Sequence, residues 1–427
     1  MTEPPTLPNV LLLHWSDLGR HLGTYGVRGV HSPSVDRLAG EGVQFGRAFS
    51  AAPLCSPARG ALFTGRYPHA NGLMGNAHLG WRYGEAERTL PALLADAGYH
   101  TALAGLQHEG DDPRALGFAE TITDPAARWQ HCGEVADAAL GWLEGRASWR
   151  QPFLLTVGLH EVHRPYPAER YPPEDPAGVD VPGFLPDNPW TRDDLAAFQG
   201  AIRVADLQVG RLLDRLDRLG LAPSTWVIFT TDHGTPFPRA KSTLYDPGIE
   251  VALIMRLPEG WRAPRNPEGR LFSHVDLVPT ILDRFGLPIP EGVHGMSHAR
   301  WLAGDEAARG RTEIFAEKTY HDVYDPMRCV RTGRWKYIRN YEQRPLLTLP
   351  ADIEASPTRR GYRDDHLRHR PAEELYDLRD DPFEQENLVG EPSCAEIRGS
   401  LAGRLLHFRQ ETRDPLLLGP VPAPDPR

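Results

Sequence analysis

The chain has 427 residues, 47 Lys and Arg against 57 Asp and Glu, and a formal net charge of −10. That length supports one large α/β domain plus a smaller one, and the acidic balance argues against a nucleic-acid binder. Four cysteines (Cys55, Cys132, Cys329 and Cys394) are scattered without CxxC pairing. They suit a reducing, cytoplasmic setting, and neither a basic leader nor an apolar run of membrane-spanning length is visible.

Strands and helices alternate along the chain. Val10-Leu11-Leu12-Leu13-His14 is a short apolar run of the kind buried on both faces of a sheet. Ser34 to Glu41 reads as a helix, with Ser32 a cap candidate and Pro33 early, and Val43 to Phe45 as a brief strand. Leu90 to Ala97 is predicted helical and Thr101 to Ala104 a strand; Phe153 to Val157 is another, followed by a Pro-rich connection through Pro189. An amphipathic helix over Asp193 to Leu219 leads to the strand Trp226 to Thr230. This order predicts a mostly parallel central sheet sandwiched by helices. A boundary falls near 310, giving a catalytic α/β domain over 1–310 and a smaller α+β subdomain over 311–427. In the latter, Cys329 to Ile338 turns around Gly333, Glu374 to Leu378 is a strand, and Ala395 to Glu411 is a helix. The Pro-rich tail after Leu418 is extended and positioned to clasp the body or a second subunit, so a homo-oligomer stays open.

The most informative segment is Leu54-Cys55-Ser56-Pro57-Ala58-Arg59-Gly60, running on to Thr64-Gly65-Arg66. Pro57 is tolerated in a first helical turn, where its missing N–H would be unpaired anyway. Cys55 then stands at a helix N-terminus that favours negative charge, with the Arg59 guanidinium one turn later on the same face. A free Cys is usually a buried packing residue; here its neighbours describe an anion site with a reactive group at the floor. Asp17, His108, His160, His163, Asp232 and His233 all follow predicted strands, where ligand groups gather in open α/β sheets. Asp17, Asp232 and His233 offer two carboxylates and an imidazole to a divalent ion, which would neutralise an oxyanion and lower the pKa of a nucleophilic hydroxyl.

Cys-x-Pro-x-Arg followed by Thr-Gly-Arg resembles the sulfatase signature, in which the Cys is oxidised to formylglycine and the hydrated aldehyde is the nucleophile. The resemblance extends through Pro8 to Leu13, Thr231-Asp232-His233-Gly234 and Leu244-Tyr245-Asp246-Pro247-Gly248 to Glu374-Leu375-Tyr376-Asp377-Leu378. It is strongest to the sulfamidase-like branch. It implies an alkaline-phosphatase-like fold and a metal-dependent hydrolase of a sulfate ester or sulfamate, with a small molecule or saccharide as substrate. It also implies a formylglycine-generating enzyme as maturation partner and one divalent ion of the calcium or manganese type.

Carried over by position, Arg59 would orient the diol, His108 lie near the nucleophile, His163 contact the sulfate and Lys241 supply a cation to a sulfate oxygen or the leaving group. Two departures stand out. Ser16 occupies the place of a metal carboxylate, leaving a neutral oxygen as the fourth ligand candidate, and Leu106 stands where a Lys is common. A phosphonate monoester or phosphodiester hydrolase of the same superfamily, or a catalytically weak anion-binding member, is therefore the alternative. His69 and His160 are expected to touch substrate, with His78, Trp81 and His321 further loop candidates.

Overall fold

The structure is a computed structural model that describes residues 7–424, apart from 126, 128, 262–266 and 268. Its centre is a seven-stranded sheet in the order 43–44, 253–256, 225–231, 9–15, 153–158, 100–105, 120–121. Asn9–Trp15 lies between Thr225–Thr231 and Phe153–Gly158 and pairs with both in parallel. Successive side chains of a strand point to opposite faces. Leu11, Leu13 and Trp15 accordingly enter one core with the helix Pro189–Arg218, while Val10 and Leu12 enter a second with Leu62, Leu277 and Ile281. This two-sided burial is why the strands read as continuous apolar runs.

The strands 225–231, 9–15, 153–158 and 100–105 are mutually parallel, so their carboxyl ends open on one edge. The backbones crowd there. A Cβ on Gly158 would lie 1.8 Å from the Leu106 carbonyl oxygen, so only glycine fits.

Three features differ from the sequence reading. The long helix begins at Pro189, four residues before the expected Asp193, because the Asn188 side chain accepts the Thr191 amide and caps it. Leu253–Arg256 joins the main sheet antiparallel, a pairing that short apolar runs do not announce. Arg47–Phe49, Glu250–Val251 and Leu271–Ser273 form a separate three-stranded sheet.

Glu313–Tyr320, Tyr324–Thr332, Trp335–Asn340 and Glu373–Asp377 build a four-stranded sheet, antiparallel throughout. The helix Ala395–Glu411 packs on it through Leu401, Leu405 and Phe408, with Phe408 stacked on Phe315 at 4.0 Å. The tail returns to the body: Val421 is buried beside Leu73 and Trp81, and its carbonyl accepts from the Tyr320 hydroxyl at 2.9 Å. No helix among the described residues is long and apolar enough to cross a membrane.

Candidate active site

Cys55 is the first residue of the helix Cys55–Thr64, every residue of which is buried. Gly65 ends it in the left-handed region at φ 70°, the usual glycine C-cap. Cys55 Sγ lies 3.5 Å from His233 Nε2 and 4.0 Å from Asp17 Oδ1. Ser56, the next residue, donates to the His108 carbonyl at 2.6 Å and so ties the loop after Gly105 to the helix start.

Asp17 follows the first central strand, and Asp232 and His233 follow Thr225–Thr231. These strands are adjacent in register, with Trp15 opposite Thr231, which brings the three side chains together. Asp232 Oδ1 accepts the amides of Asp17 and His233 at 2.9 and 2.8 Å. Its other oxygen pairs with Arg59 Nη2 at 3.1 Å. Asp17 Oδ2 accepts from Lys241 Nζ at 2.6 Å, leaving Oδ1 3.1 Å from His233 Nε2. Burial alone would raise the Asp17 carboxyl, but Lys241, His163 and His233 hold it well below the usual carboxylate range. His233 responds in the opposite sense: burial opposes its charge, and the two aspartates lift it well above an ordinary histidine.

These residues fit a divalent ion. His233 Nδ1 donates to the Gly234 carbonyl oxygen at 3.0 Å, which leaves Nε2, facing Asp17 and Cys55, as the atom that would give up its proton to coordinate an ion. Donor atoms of Asp17, Asp232, His233 and Cys55 all lie within 4.8 Å of one another. Two carboxylates and one imidazole form a set compatible with hard or borderline cations. Ser16 does not join them: its hydroxyl donates to the Leu159 carbonyl at 3.0 Å and accepts from Arg59 at 2.8 Å. The expectation of Ser16 as a fourth ligand is corrected to a support for Arg59.

Arg59 is 1% exposed and fixed at three points: Ser16, Asp232 and His14, whose Nδ1 lies 2.8 Å away. Burial and the Arg59 charge push the His14 pKa well down, so the ring is neutral and accepts. Lys241 Nζ bridges Asp17, Asp352 Oδ2 at 2.9 Å and His163 Nε2 at 3.0 Å. Burial disfavours its charge, yet Asp17 and Asp352 keep it well above the ordinary lysine range. His163 Nδ1 donates to the Arg164 carbonyl at 2.7 Å, so Nε2 is the acceptor facing Lys241.

Above this floor is a cavity of about 470 Å³ whose lining includes Cys55, His108, His163, Lys241, Leu106 and Asp352. His108 stacks on His78 with centroids 5.5 Å apart, and burial followed by the Arg59 charge lowers its pKa to about 3. His78 and His321 line the same cavity. His160 does not; it borders a neighbouring cavity instead.

His69 lies elsewhere. Its Nδ1 pairs with Glu317, its Nε2 is 3.2 Å from the Thr412 carbonyl, and its side chain has no exposure. The expected substrate contact is thereby corrected, since both ring nitrogens are already occupied inside the protein. Trp81 is likewise packed against Leu73 and Val421. Sequence reasoning missed His14 and Asp352. His14 had a faint signal as a polar residue closing an apolar strand; Asp352 had none.

The sequence profile described as Sulfatase matches residues 8–287, and that described as N-sulphoglucosamine sulphohydrolase, C-terminal, matches residues 238–361. This chain belongs to the sulfatase family. Like its relatives, the sulfatase is a hydrolase of sulfuric esters. It is 29% identical to the N-sulphoglucosamine sulphohydrolase of Homo sapiens over 96% of its own length and 92% of that protein. It is 28% identical to an ulvan-active sulfatase of Formosa agariphila, over 89% of this chain and 75% of the relative. Among solved structures, a putative sulfatase from Bacteroides fragilis superposes with a TM-score of 0.78 at 21% identity, covering 99% of each chain. The shared architecture is a mostly parallel central sheet sandwiched by helices, as the strand order predicted.

Proposed function

We propose that this sulfatase hydrolyses a sulfate ester or sulfamate on a sugar, with Cys55 in its formylglycine form and one divalent ion of the calcium or manganese type. The observation that carries the reading is Cys55 at the floor of the 470 Å³ cavity, 3.5 Å from His233 Nε2 and 4.0 Å from Asp17 Oδ1. The similarity to a sulphohydrolase named for a glucosamine supports a sugar as the substrate. Asp17, Asp232 and His233 would hold the ion, which when bound supplies positive charge to a sulfate oxygen and to the nucleophile's hydroxyl. The formylglycine supplies a hydrated aldehyde, a nucleophile that can later collapse back to the carbonyl.

The chain's own groups divide the remaining work. Arg59, locked by His14, Ser16 and Asp232, holds the residue at position 55 in one orientation. Lys241 carries a buried positive charge that faces the cavity and stabilises the charge developing on sulfate. Lys241 Nζ, which donates to His163 Nε2 at 3.0 Å, is the group able to protonate the departing oxygen or nitrogen, and His163 holds it toward the cavity. His108, on the loop that Ser56 ties to the start of the Cys55 helix, is positioned at the cavity to assist the proton's departure as sulfate leaves.

Residues 1–310 carry these groups, and 311–427 add Asp352 and His321 at the cavity. Cys55 is 7% exposed inside a fully buried helix, so a formylglycine-generating enzyme must act before this segment folds. Four unpaired cysteines fit a cytoplasmic location.

The test is turnover of 4-nitrophenyl sulfate, glucosamine N-sulfate and a 4-nitrophenyl phosphonate monoester by metal-loaded, modified enzyme. The two sulfates are expected to be cleaved faster than the phosphonate. A phosphonate preference would overturn the reading, and turnover of none of the three would favour an anion-binding member.

A further inference from the structure

Beside the active-site cavity lies a second one of about 390 Å³, and the two share Trp129 and His163. Its walls combine ring faces with polar atoms that have no work to do. Trp129 is 58% exposed although it stands edge-on to His160, ring centroids 4.2 Å apart. Tyr171 stacks on His131 at 5.7 Å on another wall, and Pro165 and Pro167 complete the apolar part.

The polar atoms are the informative part. Glu161 is 2% exposed; its Oε1 accepts from the Cys132 amide at 2.9 Å and the Tyr171 hydroxyl at 2.7 Å, but its Oε2 has no partner. His160 Nε2 is likewise buried without one. An unsatisfied buried polar atom is costly, so two on residues lining one cavity need a reason. Arg170, at the same cavity, is exposed and has no ion pair among the described residues, unlike Arg164, which Asp194 holds at 2.5 Å.

A broad aromatic face, stray hydrogen-bonding atoms and one free guanidinium are what a sugar ring with an anionic substituent requires. The C–H face of a pyranose packs on an indole, its hydroxyls pair with carboxylate and imidazole, and its anion meets arginine. We propose that this side cavity is a subsite for a second sugar ring of the substrate, stacked on Trp129 and bearing an anionic group that pairs with Arg170. The inference rests on the saccharide reading of the main cavity and extends it from one ring to two. His163, common to both cavities, lies where the glycosidic link would pass, which places the sulfate on one ring and the recognition on the next.

The test compares kcat/KM for a disaccharide of sulfated glucosamine and a uronic acid with kcat/KM for 4-nitrophenyl sulfate. Trp129→Ala is expected to lower that ratio about tenfold, through KM for the disaccharide, and Trp129→Phe to recover most of it. Arg170→Ala is expected to lower the ratio at least fivefold for the uronic-acid disaccharide, and to leave the ratio of its carboxyl-reduced, neutral counterpart as it is in the parent. A disaccharide carrying a second sulfate in place of the carboxylate distinguishes the two anion sources: whichever loses more with Arg170→Ala is the group that is read. An unchanged ratio in both Trp129→Ala and Arg170→Ala overturns the subsite. Binding of the desulfated disaccharide, followed by tryptophan fluorescence, needs no hydrolysis. A parent enzyme that binds it through Trp129 but cleaves no sulfate would overturn the hydrolase reading and leave the subsite standing.

Discussion

Two buried clusters in this fold are made of the same ingredients and differ in what they leave over. At the carboxyl ends of the central strands, Asp17, Asp232 and His233 meet Arg59 and Lys241. Beneath the helix Ala395–Glu411, Glu317, Asp414 and His69 meet Arg328 and Arg409. In the second cluster the groups satisfy one another: Asp414 receives Arg328 through two nitrogens at 2.9 and 3.0 Å and Arg409 at 2.8 Å, and Glu317 receives His69 and Arg328. In the first, Asp17 Oδ1, His233 Nε2 and Cys55 Sγ face one another under an open cavity. A closed, satisfied cluster holds the fold together; one whose donor atoms converge below a cavity can bind and react. Burial and charge alone do not separate the two.

That distinction makes opposite kinds of mutation informative. Cys55→Ala is expected to abolish sulfate-ester turnover, by about 10⁴-fold or more, with little change in melting temperature. Lys241→Ala should cost roughly 10²–10³-fold in kcat, measured on protein whose Cys55 modification matches the parent's. Asp414→Ala should show the reverse pattern. It strips Arg328 of its two-point partner, leaving only the Glu317 carboxylate at 3.4 Å, and is expected to destabilise the protein by about 3–5 kcal/mol in denaturant titration, with kcat per folded molecule preserved. If Asp414→Ala instead lowered kcat at unchanged stability, the second cluster would belong to the catalytic machinery and the comparison would collapse.

The smallest effect concerns acid. Burial would raise the Asp414 carboxyl, but Arg328, His69 and Arg409 beside it bring its pKa down to about 2. A depressed carboxylate contributes stability above its unfolded pKa of about 4, and that contribution disappears as pH falls through the folded value. The stability gap between the parent and Asp414→Asn is therefore expected to narrow by ~2 kcal/mol between pH 4 and pH 2. A gap that stays constant over that window would show that Asp414 is not the titrating group.

The legible parts of the molecule are those encoded locally. Cys55, Pro57 and Gly65 mark the start and stop of one helix within eleven residues, and apolar runs mark the central strands whose ends carry Asp17 and Asp232. What the sequence left hidden depends on distant partners. His69 follows the Cys55 helix and looks like a loop residue at the substrate, yet Glu317, 248 positions later, captures it. Asp352 reaches Lys241 across 111 positions from a short helix with no motif of its own. Ser16 occupies the place of an acid, and its role follows only from Arg59 reaching back 43 positions to it. Trp129 carries no motif of its own, and its meaning comes from the two cavities it lines.

On the proposed reading, the cluster around Cys55 is a sulfate-hydrolysing centre requiring formylglycine and a divalent ion. Its most direct test takes protein prepared with graded levels of modification, quantifies formylglycine at position 55 by mass spectrometry of the tryptic peptide, and measures 4-nitrophenyl sulfate turnover on the same metal-loaded samples. Observed kcat is expected to rise in proportion to the formylglycine fraction, to extrapolate to zero at none, and to be lost on chelation of the ion. Equal turnover by protein whose Cys55 is wholly unmodified would contradict that reading.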